Sequence, residues 1–181
     1  MFFLLSFLSL ASFHLVSAIS LPGIDIDTFL TVHNNIRAVH EAPALKWSTD
    51  LASMAANWVG NCVFAVTEGV LRDAPYGELH AAATGVFPID TAINQFVRSE
   101  GKVYFTTYFA VPENIHCPTP LGDYDPANPT YNHFTQIVWK STTQVGCAIA
   151  HCKDLLGSNT GLATYHACLY DPPGNIIGLA P

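Results

Sequence analysis

Basic residues are scarce in this 181-residue chain: seven Lys and Arg stand against fourteen Asp and Glu, a formal net charge of −7. Those few are scattered, so no row of phosphates can be neutralised and nucleic acid is not an expected partner. Charge of either sign is sparse at 12%, while half the residues are hydrophobic, so the surface must be finished with Asn, Thr, Ser, Gly and Pro. A Cys-x-x-Cys pair is absent, which removes the usual signatures of a structural zinc site and of a thioredoxin-like redox centre. A Gly-x-Ser-x-Gly elbow and a catalytic-cysteine signature are absent too, leaving acyl transfer without a recognisable nucleophile. The one Asn-x-Thr triplet, Asn128-Pro129-Thr130, is disabled by its proline. Beyond residue 18 no apolar stretch reaches the ~20 residues a membrane helix needs.

The first eighteen residues read as an address. Met1 to Leu10 is almost wholly apolar but too short to span a bilayer, and Val16-Ser17-Ala18 offers the small residues of a cleavage site. The division expected is a signal peptide over 1–18 and one secreted, extracellular domain over 19–181, of ordinary single-domain size. Five cysteines, Cys62, Cys117, Cys147, Cys152 and Cys168, then pass through an oxidising compartment where pairing is the default, and one is left over.

Apolar Phe29, Val32, Ile36 and Val39 recur at helical spacing after Asp25 and Asp27, predicting a first helix over 25–39. Ser48, Thr49 and Asp50 offer a cap for a second, whose stripe of Leu51, Met54, Ala55, Trp58 and Val59 ends at Gly60. Pro88 opens a third carrying Ile89, Ala92, Ile93, Phe96 and Val97. A fourth helix is predicted over 129–139, and short alternating runs over 145–152 and 162–170 predict an antiparallel strand pair. Gly and Pro accumulate over 69–85 and 111–128, which reads as loops. Helices first and strands late indicate an α+β or layered α/β/α domain.

Three motifs sit on this frame. Asn132-His133-Phe134-Thr135-Gln136-Ile137-Val138-Trp139, His166-Ala167-Cys168-Leu169-Tyr170-Asp171-Pro172-Pro173-Gly174-Asn175-Ile176, and His33-Asn34-Asn35-Ile36-Arg37 resemble, in order, the signatures of the CAP superfamily of cysteine-rich secretory, antigen 5 and pathogenesis-related class 1 proteins. The resemblance implies a three-layer α/β/α sandwich with a central antiparallel sheet, in the family's compact single-domain form. It also implies disulfides Cys62–Cys152 and Cys147–Cys168. The first closes a loop of about ninety residues, stabilising the fold by roughly 4 kcal/mol in chain-entropy models. Cys117 is then the odd thiol, with free, buried and intermolecular states all open to it.

The family's cleft holds two His and two Glu, which in some members bind zinc, and borderline N/O donors suit that ion. Carried over residue by residue, His133 matches and Tyr76-Gly77-Glu78-Leu79 supplies Glu78. The second His position is Val66, and the second Glu position falls on Ser99 with Glu100 one step beyond. The residual cleft is therefore Glu78, His133 and Glu100; no metal and no cofactor are expected, and catalytic residues are none. His80 stands near Glu78, but neighbouring residues on a loop or strand do not generally aim alike. The more economical reading makes Glu78 and His133 a hydrogen-bonded pair fastening a loop to the fourth helix, His33 and Arg37 anchors for neighbouring loops, and Trp47, Trp58 and Trp139 core residues.

Several CAP proteins bind lipids, sterols through an aromatic loop or fatty acids in a channel between helices. The uncharged run 103–111 is the candidate here, with Tyr104, Phe105, Tyr108 and Phe109 as the lipid-binding residues. Its rival role is a strand or loop that fills the core with alternate aromatics. The function expected is a secreted small-lipid binder. Two further readings are a secreted effector-like protein engaging a host or cell-surface receptor with degenerate metal and lipid sites, and a metal-assisted hydrolase, which Val66 disfavours.

Overall fold

The computed structural model describes residues 23–65, 76–99, 132–176, 178, 179 and 181. Their elements run α1 (Gly23–Val39), β1 (Lys46–Trp47), α2 (Thr49–Val59), β2 (Gly77–Thr84), α3 (Ile89–Ser99), α4 (His133–Val138), β3 (Gln144–Lys153) and β4 (Leu162–Asp171). The strands form one sheet in the order β1-β3-β4-β2, antiparallel except for the two-residue parallel contact of β1 with β3.

Alternation along β4 builds the layers. Cys168 and Tyr170 belong to a cluster with α1, α3 and α4, made by Phe29, Ile36, Ile93, Phe96 and Ile137, while Tyr165, Ala167 and Leu169 pack against Leu51, Ala55 and Val59 of α2. Helices on both faces leave β4 buried from Ala163 to Tyr170 and give the three layers expected of an α/β/α sandwich.

The caps explain where α2 and α4 start. Ser48 accepts a hydrogen bond from the Leu51 N–H, and Asn132 with Thr135 forms a reciprocal capping box. Where α2 crosses β3, Gly146 is required, because a Cβ there would collide with the Ala52 main-chain nitrogen and the Ser48 carbonyl.

Sequence and structure part at residues 77–84. A loop was expected across 69–85, yet Gly77–Thr84 pairs with the whole of β4. Its three alanines and flanking glycines lack β propensity, so burial between β4 and the helical layers decides its state. Disulfides join Cys62 to Cys152 and Cys147 to Cys168, the pairing that the resemblance implied.

The His-Asn-x-x-Arg element of α1 works as a clamp. The Asn34 side chain bonds both the N–H and the carbonyl of Leu45. Arg37, fully buried, donates to the carbonyls of Pro43 (2.6 Å), Ile137 (2.8 Å), Trp139 (2.9 Å) and Thr142 (2.9 Å). Desolvation pulls its pKa down to about 10, so it stays charged at neutral pH. Removing the guanidinium takes a donor from four carbonyls, of which that of Trp139 keeps another, the Thr142 N–H at 3.1 Å. Arg37→Met should cost about 3–5 kcal/mol in urea unfolding, and Arg37→Lys most of that, since one ammonium cannot reach all four; equal stability of Arg37→Lys and wild type would contradict the clamp.

Candidate functional site

Glu78 lies on β2, two residues before His80, so both side chains share the face toward α2. The His80 Nε2 stands 2.8 Å from Glu78 Oε2, and its Nδ1 2.7 Å from the Tyr165 hydroxyl, which also accepts from Trp58 Nε1 at 3.1 Å. Because the carboxylate only accepts, Nε2–H donates to Glu78, and Nδ1 of the neutral ring then accepts from the Tyr165 hydroxyl. The expectation that His80 aims away from Glu78 is thus corrected: adjacent strand residues point apart, but these two are separated by Leu79 and share a face. Burial pushes the Tyr165 hydroxyl up to about 12, keeping it a donor and not a nucleophile.

His133 opens α4, its ring stacked on Phe96 of α3 with centroids 4.5 Å apart. The two long signatures lock together beside it. Thr135 Oγ1 and the Asn132 carbonyl both bond the Asn175 side-chain amide, and Gly174 N–H donates to Gln136 Oε1 at 2.7 Å. These polar residues of the two signatures therefore serve as mutual supports, a role that their spacing alone did not reveal.

A model of the CAP family, the cysteine-rich secretory protein family, matches residues 30–170. The chain belongs to this family. It is 32% identical over 149 residues to a "Probable pathogenesis-related protein" of Arthroderma benhamiae, covering 81% of this chain and 44% of that one. It is also 32% identical over 169 residues to "Peptidase inhibitor R3HDML" of Mus musculus, covering 87% and 62%. The chain thus spans about half to two-thirds of these relatives' length. In fold it is similar to the crystal structure of Na-ASP-1 (TM-score 0.60, 21% identity, 85% of this chain and 40% of that one). The crystal structure of NaASP2 with Zn2+ is similar as well (TM-score 0.60, 19% identity, 85% and 82%). Both show the α-β-α sandwich of CAP domains. Proteins of this family are mostly secreted, and two disulfides fit an oxidising compartment. Among the described residues no helix is long and apolar enough to cross a membrane.

Among the described residues, the donors that lie close together are already committed to other bonds. Both His80 ring nitrogens are engaged, and the one compact group of three candidate ligands, His33 with Cys147 and Cys168, has both sulfurs locked in a disulfide. Glu100, Val66, Cys117 and the candidate lipid-binding residues Tyr104, Phe105, Tyr108 and Phe109 lie outside the described residues.

The sequence did not reveal a groove of about 550 Å³ beside β3. Thr49, Ala52, Ser53, Ala56, Val59 and Gly60 of α2 form one wall, with Ile26, Trp47 and Ala148 to His151 completing it.

His33 is fully buried, its Nδ1 2.7 Å from the Phe29 carbonyl and its Nε2 2.8 Å from the Tyr170 hydroxyl. Desolvation, aided by the Arg37 charge, lowers its pKa to about 4. A depressed pKa means that the stability contribution is whole above the unfolded value of 6.5 and drains as pH falls toward 4, as the unfolded chain takes up the proton first. His40 and His166, also lowered by burial, act in the same direction. Urea unfolding should show a loss on the order of 3 kcal/mol from His33 between pH 6.5 and 4, and His33→Gln should flatten that fall. An unchanged slope in the variant would show that His33 is not the group responsible.

Proposed function

We propose that this CAP-domain protein is secreted and carries a small lipid, a sterol or a fatty acid, without acting as an enzyme. The observation that carries this reading is the uncharged aromatic run 103–111, which begins four residues after α3 ends. The polar groups of the described site favour binding over chemistry, since Glu78, His80, Tyr165 and Trp58 are spent on one another. Apolar surface is then what the protein has to offer a ligand, at ~25 cal/mol for each Å² buried. Tyr104, Phe105, Tyr108 and Phe109 are the proposed contacts, with the mature chain starting near Ile19. The family relatives carry names such as pathogenesis-related protein and peptidase inhibitor, and none of those quoted is named as an enzyme.

The second reading, a secreted protein that engages another protein, is favoured by the groove beside β3. Binding of a fluorescent sterol and a fluorescent fatty acid to the mature protein separates the two. The lipid reading expects saturable binding of at least one at micromolar concentration, weakened about tenfold by Tyr108→Ala, a difference of ~1.4 kcal/mol. Binding of neither lipid overturns it.

A further inference from the structure

The groove's lining fixes where it lies. Ala148 and Ala150 face α2 and pack in its cluster, whereas Ile149 packs against the cluster on the opposite side of the sheet; yet all three line the same groove. Successive residues of a strand point to opposite faces, so a space touching both sets runs along the strand's edge, in the plane of the sheet.

That edge is open. β4 pairs with β3 from Gln144 to Lys153, but on the other side β1 covers only Gln144 and Val145. Ser48 N–H donates to the Val145 carbonyl at 2.9 Å, so the main chain of Val145 is turned away from β4. By alternation the N–H and C=O of Cys147, Ile149 and His151 are turned the same way. The 4.0 Å Cα–Cα separation of Cys147 and Cys168 agrees, being that of a directly opposed pair without mutual hydrogen bonds. Among the described residues no backbone group pairs with these three outside the sheet's own ladder.

We infer that this edge takes up an extended peptide segment of a partner protein, which prolongs the short β1 and sends alternate side chains into the groove. Three observations select that occupant. Donors and acceptors repeat in a row every ~6.7 Å, which another extended backbone satisfies and a hydrocarbon chain does not. The face of α2 on one side and Ile26 on the other wall the edge in, so a second copy's β3, recessed behind its own walls, cannot meet it. Among the described residues no carboxylate lines the groove, while exposed Lys46 marks one end of the edge and exposed His151 and Lys153 the other, in a chain of net charge −7. The segment that fits carries small or β-branched apolar residues at alternate positions and acidic residues at its ends. Lysine on an edge strand also deters aggregation, a role that calls for no ligand.

This inference is independent of the lipid reading and is tested apart from it. Random nonapeptides displayed on phage are selected against the intact mature protein, and the enriched peptides are synthesised. Two variants serve as comparisons. His151→Pro deletes an edge donor that β4 does not use, and Ser53→Trp fills the groove from an exposed position of α2. The expected result is enrichment of alternating apolar sequences with acidic ends, binding at micromolar concentration and weakened roughly tenfold or more by each variant, with loss of binding when alternate peptide amides are N-methylated. Absence of enrichment, undiminished binding to either variant, or concentration-dependent dimerisation abolished by His151→Pro would overturn it, the last by assigning the edge to a second copy.

Discussion

Arg37 holds together what the chain keeps far apart. One guanidinium on α1 satisfies carbonyls at Pro43, Ile137, Trp139 and Thr142, so the exit of α1, the end of α4 and the entry to β3 are fixed to a single buried group. The Trp139 carbonyl shares the guanidinium with the Thr142 N–H, and a buried acceptor left without a donor costs ~1–3 kcal/mol. Placement of β3 in the sheet follows from this clamp, because β1 and β3 both leave loops that Arg37 and Asn34 hold.

Upon that frame the polar residues turn inward. Asn132, Thr135, Gln136, Gly174 and Asn175 bind one another across forty residues of sequence, and Glu78, His80, Tyr165 and Trp58 form a chain between sheet and α2. Residues that look like a catalytic inventory are consumed as structure. Among the described residues a row of main-chain groups along β3 remains outward, where β1 stops after two residues.

Much of this was legible in the sequence. The stripes of α2 and α3 marked their extents to within a residue or two, since cap and apolar face agree there. Polar residues on α1 announced anchors, because an Arg beside Phe29 and Ile36 has to find acceptors. β2 was hidden by Ala81, Ala82 and Ala83, whose state depends on β4 and not on their own preference. The Glu78–His80 contact was lost with it, as the two-residue spacing has meaning only on a strand. The groove was illegible for a different reason: an open edge is set by how far a partner strand extends, which no local pattern encodes.

Residue-resolved amide exchange of the unliganded protein tests most directly the claim that one side of β3 is open while the rest of the sheet is paired. The account predicts that the N–H groups of Ile149 and His151 exchange at least ~100-fold faster than those of Ala148 and Ala150, which bond to β4. Equal protection of all four would mean that another part of the chain covers the edge, and the account would be wrong.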